Sequence, residues 1–311
     1  MSISLVMATY NGAKYLREQM DSIYNQTIVP DEIIVVDDCS TDNTLSVLSE
    51  YEVKGNLKVY VNEKNQGVSA NFERAIKLAQ GDYICISDQD DVWFPNKIET
   101  SLSKLKKIEN GKPACVSSFC TDVDSELHVF ESQRKARKDS EWEYPLYEDA
   151  SQGSSLMFNK QMKDLILPLC KYFIYDHYIG VFSCFLGNRA TIGSPLMYYR
   201  HHGDNVVAGK ITHYHEGLSE AMALYYLLKR KERHYLLTYL RDYKMQMFEK
   251  SKRSLFDEVY SFYDVDSHFV MIKRVLRSKY FSCKVKFFFV VFVFSLIFLK
   301  NRRVVSMEKP F

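Results

Sequence analysis

The sequence predicts an α/β fold, a mostly parallel sheet flanked by helices, followed by a helical C-terminal extension. Three observations carry the prediction. Short, wholly apolar runs alternate with segments of helical spacing through the first 110 residues. The polar clusters fall just past the ends of apolar runs. The charge also changes sign along the chain: residues 1–228 carry 22 Lys+Arg against 31 Asp+Glu, whereas residues 229–311 carry 19 against 8. An acidic body with a basic, aromatic tail reads as two parts with different partners.

Ile3–Ala8 reads as a buried strand, and Gly12 to Gln26 as a helix with Leu16, Met20 and Ile23 on one face. Pro30 breaks that pattern, and Glu32–Val36 is a second strand, ending in Asp37-Asp38-Cys39-Ser40. Thr41 or Asp42 is placed to cap a helix running to Tyr51. Leu57–Asn62 is a third strand, Asn65-Gln66-Gly67 a turn, and Val68–Ala79 a helix stopped at Gly81. Tyr83–Ser87 is a fourth strand, running into Asp88-Gln89-Asp90-Asp91, and helical spacing returns at Asn96–Ile108. Such alternation makes βαβ units, and parallel strands are apolar throughout because helices cover both faces. The clusters Thr9-Tyr10-Asn11, Asp37-Asp38 and Asp88–Asp91 then share the sheet edge where open α/β sheets bind ligands. Singly, each would read as a solvated turn.

Composition narrows the class. The chain has 311 residues, 46% of them hydrophobic, with 22 Tyr and 20 Phe, which excludes a disordered chain. Seven cysteines with no C-x-x-C pair argue against a disulfide framework or a structural zinc site and fit a reducing cytoplasm. The N-terminus has no basic, apolar leader pattern, so no signal peptide is expected. G-x-G-x-x-G, the P-loop and the G-x-S-x-G elbow are all missing. Carboxylate is what the predicted edge offers.

Asp88, Asp90 and Asp91 lie within four residues, and Asp88 and Asp90 can point the same way in an extended segment. Carboxylates this close repel unless a cation lies between them. Mg²⁺ or Mn²⁺, hard ions with oxygen ligands, would answer that and act as a Lewis acid on a leaving diphosphate. On spacing alone, an acidic loop capping the next helix stays open.

Four segments, Ala8-Thr9-Tyr10-Asn11-Gly12, Val35 to Asp42, Asn65-Gln66-Gly67-Val68 and Ile86 to Trp93, occur in an order and spacing that resemble family 2 glycosyltransferases. The resemblance covers roughly residues 2–210, and the Asp-Gln-Asp-Asp-x-Trp form looks most like the bacterial rhamnosyltransferase-like branch, which builds O-antigen and capsule polysaccharides. It implies the GT-A fold, inverting transfer and a nucleotide-diphosphate donor. By that resemblance Asp38 contacts the donor's pyrimidine base, and Thr9, Tyr10 and Asn11 line the nucleotide pocket. Asp90 is the direct metal contact, Asp88 serves ribose or metal-bound water, and Asp91 supports them.

Inversion needs a base to deprotonate the acceptor hydroxyl. In Tyr175-Asp176-His177-Tyr178, Asp176 matches the family's acidic residue at a helix start, although the first position carries no charge; a helix N-cap is its alternative role. Gln152-Gly153-Ser154-Ser155 before the apolar Leu156–Phe158 resembles the acceptor-side loop, where Gly153 and Ser154 would let a sugar or diphosphate approach closely. Tyr199-Arg200-His201-His202-Gly203-Asp204-Asn205 resembles a family segment in which Arg200 and His202 would contact diphosphate or metal. Trp93 either stacks on the sugar at the acceptor side or, the reading favoured here, anchors its loop. Arg134, Lys135, Arg137 and Lys138 read as a solvated loop.

The expected organisation is a GT-A catalytic domain over 1–212, with a nucleotide-sugar half over about 1–110 and an acceptor half over about 111–212, then a helical, basic region over 213–311. Helical spacing runs from Glu216 to Phe248. Residues 267–303 hold nine Lys+Arg and no Asp or Glu. Inside them, Phe287–Leu299 would span only ~20 Å as a helix, short of the ~30 Å hydrocarbon core. An interfacial or re-entrant anchor on anionic lipid is the favoured reading, with a buried core helix as its alternative. The expected partners are a dTDP- or UDP-sugar, a lipid-linked glycan acceptor and an anionic membrane surface, with no nucleic acid. The expected site of action is the cytoplasmic face of the bacterial inner membrane, peripheral or monotopic. A non-catalytic nucleotide-sugar-binding scaffold is the competing function; a nucleotidyltransferase is disfavoured because no glycine-rich, basic loop follows the first strand.

Overall fold

The structure is a computed structural model that describes residues 1–130, 152–169, 174–203 and 268–277, with 253 and 257. The chain divides into two units, Met1–Ala208 and Gly209–Phe311. In the first, the elements follow in order: β1 (Ile3–Thr9), α1 (Ala13–Tyr24), β2 (Glu32–Asp37), α2 (Thr44–Glu52), β3 (Leu57–Val61), α3 (Val68–Leu78) and β4 (Tyr83–Ser87). Then come β5 (Val92–Trp93), α4 (Lys97–Glu109), β6 (Ala114–Val123), a 3₁₀ turn (Gly153–Ser155), β7 (Met157–Asn159), α5 (Lys160–Ile166), α6 (Tyr175–Leu186) and β8 (Asn188–Arg200).

One eight-stranded sheet carries the unit, in the order β3-β2-β1-β4-β7-β6-β8-β5. β1 pairs parallel with both β2 and β4, and β2 with β3. Chain order therefore reverses beside β1, and the crevice at the C-terminal ends of β1 and β4 is a topological switch point. Beyond β4 the sheet turns mixed: β7 runs antiparallel to β4 and β6, while β8 is parallel to β6.

The apolar strands are covered on both faces. Leu5, Val6 and Met7 of β1 and Val35 and Val36 of β2 are fully buried, and each such side chain contributes about 1.5–3 kcal/mol. Leu16, Met20 and Ile23 form the buried face of α1, as their spacing predicts. Two helix starts share one carboxylate. Asp42 accepts the Thr44 N–H at 2.9 Å and the Ala13 N–H at 3.1 Å, so it serves the first residues of both α2 and α1, although Asn43 holds the cap position of α2. Gly67 starts α3 with φ 85°, a left-handed conformation that only glycine adopts readily.

The sequence pattern did not reveal β5. Its two residues pair antiparallel with Tyr198 and Met197 of β8, a contact more than 100 residues away along the chain. The strand expected at Leu156–Phe158 is β7, displaced by one residue. In the second unit α7 (His268–Arg277) is described, with Ile272 buried and Val270 and Leu276 exposed. Among the described residues, no helix is long and apolar enough to cross a membrane. The expectations for 134–138, 216–248 and 287–299 lie outside the described residues.

Candidate active site

An amide bridges the two loops that flank the switch-point crevice. Gln89 Oε1 accepts the Tyr10 N–H at 2.9 Å, and Gln89 Nε2 donates to the Tyr10 carbonyl at 3.1 Å. This two-point clamp ties the loop after β1 to the loop after β4. It fits because residue 12 is glycine: a Cβ there would stand 2.1 Å from Gln89 Oε1. The Tyr10 side chain stays 47% exposed. Asn11, at φ 47°, accepts the Thr41 N–H at 2.8 Å, and its own N–H donates to Ser40 Oγ at 2.9 Å. Thr9 is buried, and its hydroxyl donates to Asp37 at 2.8 Å.

Asp38 is buried as well. Its carboxylate accepts from Asn62 Nδ2, the Gln66 N–H and the Gly67 N–H, each at 2.8 Å. Those bonds shape the turn that starts α3. The residue expected against the donor's base thus holds the turn that starts α3.

At the end of β4 the carboxylates crowd. Asp91 is fully buried; Ser154 Oγ donates to it at 2.6 Å and the Arg200 N–H at 3.3 Å. Burial first, then the charges of Asp90 and Asp88, push its carboxyl well above the usual carboxylate range. Asp88 is half-buried and accepts from the Tyr175 hydroxyl at 3.3 Å. Burial first, then Asp90 and Asp176, raise it to about 7. Asp90 Oδ2 lies 2.8 Å from His202 Nε2, and both side chains are largely buried. Asp176 sits in the first turn of α6, half-buried, near enough to act on Asp88. Ile174 holds the cap position of that helix, and no side chain caps it.

Three predicted contacts change character. Arg200 does not reach into the crevice: only 2% of its side chain is exposed, and its fork is spent inside the protein. Nε donates to the Asp90 carbonyl at 2.9 Å, one terminal nitrogen to the Ser125 carbonyl and the other to Glu18. Gly153 offers no room to a sugar, because the Tyr175 hydroxyl would lie 1.8 Å from a Cβ at that position. Ser154 is fully buried and serves Asp91 rather than an acceptor. Trp93 is 3% exposed and anchored: its N–H donates to Ser22 Oγ at 3.0 Å, and the indole N–H reaches the Gln19 amide oxygen at 3.2 Å once that amide is turned to face it.

Sequence reasoning did not single out Gln89 or Tyr175 as side chains that brace the site. Gln89 and Tyr175 stood inside quoted motifs, but their partners lie 79 and 87 residues away. Among the described residues, no three His, Cys, Asp or Glu side chains are grouped as a ready metal cage. The donor types still fit a hard divalent ion: carboxylate oxygens of Asp88 and Asp90 that repel one another, and an imidazole already on Asp90.

A family model described as Glycosyl transferase family 2 matches residues 4–166. The dTDP-rhamnosyl transferase RfbG of Shigella flexneri is 31% identical over 230 residues, which is 66% of this chain and 75% of that protein. The putative teichuronic acid biosynthesis glycosyltransferase TuaG of Bacillus subtilis is 31% identical over 140 residues, 42% of this chain and 54% of that one. Among solved structures, S. aureus TarS in complex with UDP-GlcNAc has a TM-score of 0.62 at 18% identity, covering 85% of this chain and 71% of that one. The mannosyltransferase PcManGT of Pyrobaculum calidifontis, solved with GDP-Man and Mn²⁺, has a TM-score of 0.52 at 14% identity, covering 97% of this chain and 88% of that one. At such identities the two structures speak to the fold alone.

Proposed function

The chain belongs to glycosyl transferase family 2 and has the GT-A fold, and on that premise we propose that it is an inverting, metal-dependent enzyme that moves a sugar from a dTDP- or UDP-sugar onto a lipid-linked or growing glycan of a surface polysaccharide. One observation carries the reading. Asp88, Asp90 and Asp176 come from two distant parts of the chain, yet they converge at one sheet edge, where burial first and then the charges of Asp90 and Asp176 raise Asp88 to about 7. A fold does not gather like charges this way for stability; a cation between them relieves the repulsion and can then hold a diphosphate.

The nucleotide lies in the crevice between the loops after β1 and β4, with Tyr10 and Asn11 along its rim and Asp38 behind it. Asp88, Asp90 and His202 face the diphosphate. Bound there, Mg²⁺ or Mn²⁺ supplies positive charge to the departing diphosphate. Asp176 takes the proton of the acceptor hydroxyl. The acceptor oxygen then bonds to the anomeric carbon as that carbon's bond to the diphosphate oxygen breaks, so the configuration inverts in one displacement. The position of Asp176 in the first turn of α6 supports its ionised form, since the helix N-terminus carries partial positive charge.

The similarity to a dTDP-rhamnosyl transferase makes dTDP-rhamnose the first donor to try. The basic tail supports action at the cytoplasmic face of the bacterial inner membrane, where a lipid-linked acceptor would share the surface. The test is a transfer assay with dTDP- and UDP-sugars, with and without Mn²⁺, on wild type and Asp176→Asn. Wild-type transfer that needs the ion, with at least a thousandfold loss but unchanged nucleotide binding in Asp176→Asn, is expected. Nucleotide binding without transfer to any acceptor would leave the scaffold reading instead.

A further inference from the structure

A ring from α1 packs beside the Asp90–His202 contact. Tyr15 is 8% exposed, and its centroid lies 4.8 Å from the His202 imidazole, with the two planes tilted by 34°. The Arg200 guanidinium carbon lies 4.5 Å from the same centroid, and Lys14 Nζ 4.7 Å from it. One electron-rich ring therefore collects three basic groups. Two of them act on one residue: Arg200 holds the Asp90 backbone carbonyl, and His202 meets the Asp90 carboxylate. Glu18, one turn along α1 from Tyr15, takes the other end of the Arg200 fork.

We infer that Tyr15, with Arg200, is a positioning residue that fixes the Asp90 carboxylate and the His202 imidazole for the cation and diphosphate of the donor. This rests on the function proposed above. The chemistry favours a ring over a carboxylate for the task. A carboxylate beside His202 would compete for its N–H and for any cation. An aromatic face holds the imidazole through its π cloud, ligates no hard cation, and leaves Nε2 to Asp90. Arg200 cannot be a ligand itself, but a guanidinium pinned at four points makes the Asp90 backbone rigid.

The experiment compares full-length wild type, Tyr15→Leu, Tyr15→Phe and Glu18→Ala by calorimetric titration of UDP and dTDP with and without Mn²⁺, and by NMR of the His202 ring without nucleotide. Tyr15→Leu should weaken the Mn²⁺-dependent part of nucleotide affinity about tenfold while leaving metal-free binding unchanged. Tyr15→Phe should stay within about twofold, because the ring face is kept. The His202 ring signal should move in Tyr15→Leu, where the neighbouring ring current is lost, and hold in Tyr15→Phe. A folded Tyr15→Leu with wild-type metal dependence, or an unmoved His202 signal, overturns the inference; so does a Tyr15→Phe loss as large as that of Tyr15→Leu. Should Tyr15→Leu not fold, Glu18→Ala decides, since Glu18 is 54% exposed and leaves no cavity: a loss of metal-dependent affinity supports the inference, and unchanged affinity overturns it. Wild type that binds neither nucleotide with Mn²⁺ overturns the proposed function, whereas the His202 signal reads the Tyr15 contact independently of it.

Discussion

Gly153→Ala measures how tightly Tyr175 is seated between the loop before β7 and the carboxylates. The new methyl would stand 1.8 Å from the Tyr175 hydroxyl oxygen, 2.5 Å from Cζ and 2.9 Å from Cε2. Carbon atoms in good contact sit about 3.5–4.0 Å apart, so either the ring or the turn must shift by more than 1 Å, roughly. The ring has little freedom: it is 4% exposed and its centroid lies 4.0 Å from that of Phe72, itself 1% exposed. Overpacking of this kind costs about 1–3 kcal/mol. Losing the hydroxyl's 3.3 Å bond to Asp88 adds about 1 kcal/mol. The total of about 2–4 kcal/mol corresponds to a Tm drop of about 5–15 °C for a unit of this size. Thermal and urea unfolding of wild type, Gly153→Ala, Tyr175→Leu and the double variant would read it. In the Tyr175→Leu background the methyl meets open space, so its cost should fall by at least about 1 kcal/mol. A Gly153→Ala protein within about 0.5 kcal/mol of wild type, or an equal cost in both backgrounds, would refute the reasoning.

Three further variants probe other contacts in and beside the site. Lys97 is 3% exposed, its Nζ 4.5 Å from the Trp93 ring centroid, and burial pulls its ammonium down from 10.5 to about 8 against the opposing pull of Cys85, Asp91 and Cys120. Between pH 8 and 10.5 the unfolded chain binds the proton and the folded chain does not, so this group makes stability rise with pH by about 3 kcal/mol in all; Lys97→Met should remove that rise, seen as the difference between the two unfolding-versus-pH curves. Gln89→Ala deletes both bonds to the Tyr10 backbone, at 2.9 and 3.1 Å, and should weaken nucleotide binding about fivefold with little change in Tm. Gly12→Ala should mimic it, because its Cβ would stand 2.1 Å from Gln89 Oε1 and push the amide out of the clamp.

The first half of the fold was legible because its determinants are local. A strand covered by helices on both faces must be apolar along its length, so β1, β2 and β4 stand out as apolar runs in the sequence, whereas the edge strand β3 exposes Lys58 and Val61, and the polar residues that follow β1, β2 and β4 mark the ligand edge. The second half obeys longer-range rules. β5 exists only because β8 offers Tyr198 and Met197 to its two residues, and nothing within Val92-Trp93 announces that. The same holds in the site. Asp88 to Asp91 read as carboxylates meant for a cation, but which of them is buried and which faces His202 depends on Ser154, Tyr175 and Arg200, each more than 60 residues away.

Arg200 and Gly153 show how far residue type alone carries. Arginine beside histidine in a polar segment reads as a phosphate contact, because the sequence holds no sign that Glu18, Ser125 and the Asp90 carbonyl will claim its donors. Glycine in a loop reads as room for a ligand, because the sequence does not say that a tyrosine from α6 fills the space. The sequence by itself determined the family, the parallel half-sheet and the edge where chemistry gathers, since these follow from local hydrophobic periodicity and from motifs a few residues long. The tertiary structure alone decided which polar groups face the crevice and which brace it. That division depends on which side chains desolvate one another, a property of packing between segments that are neighbours only in the folded chain.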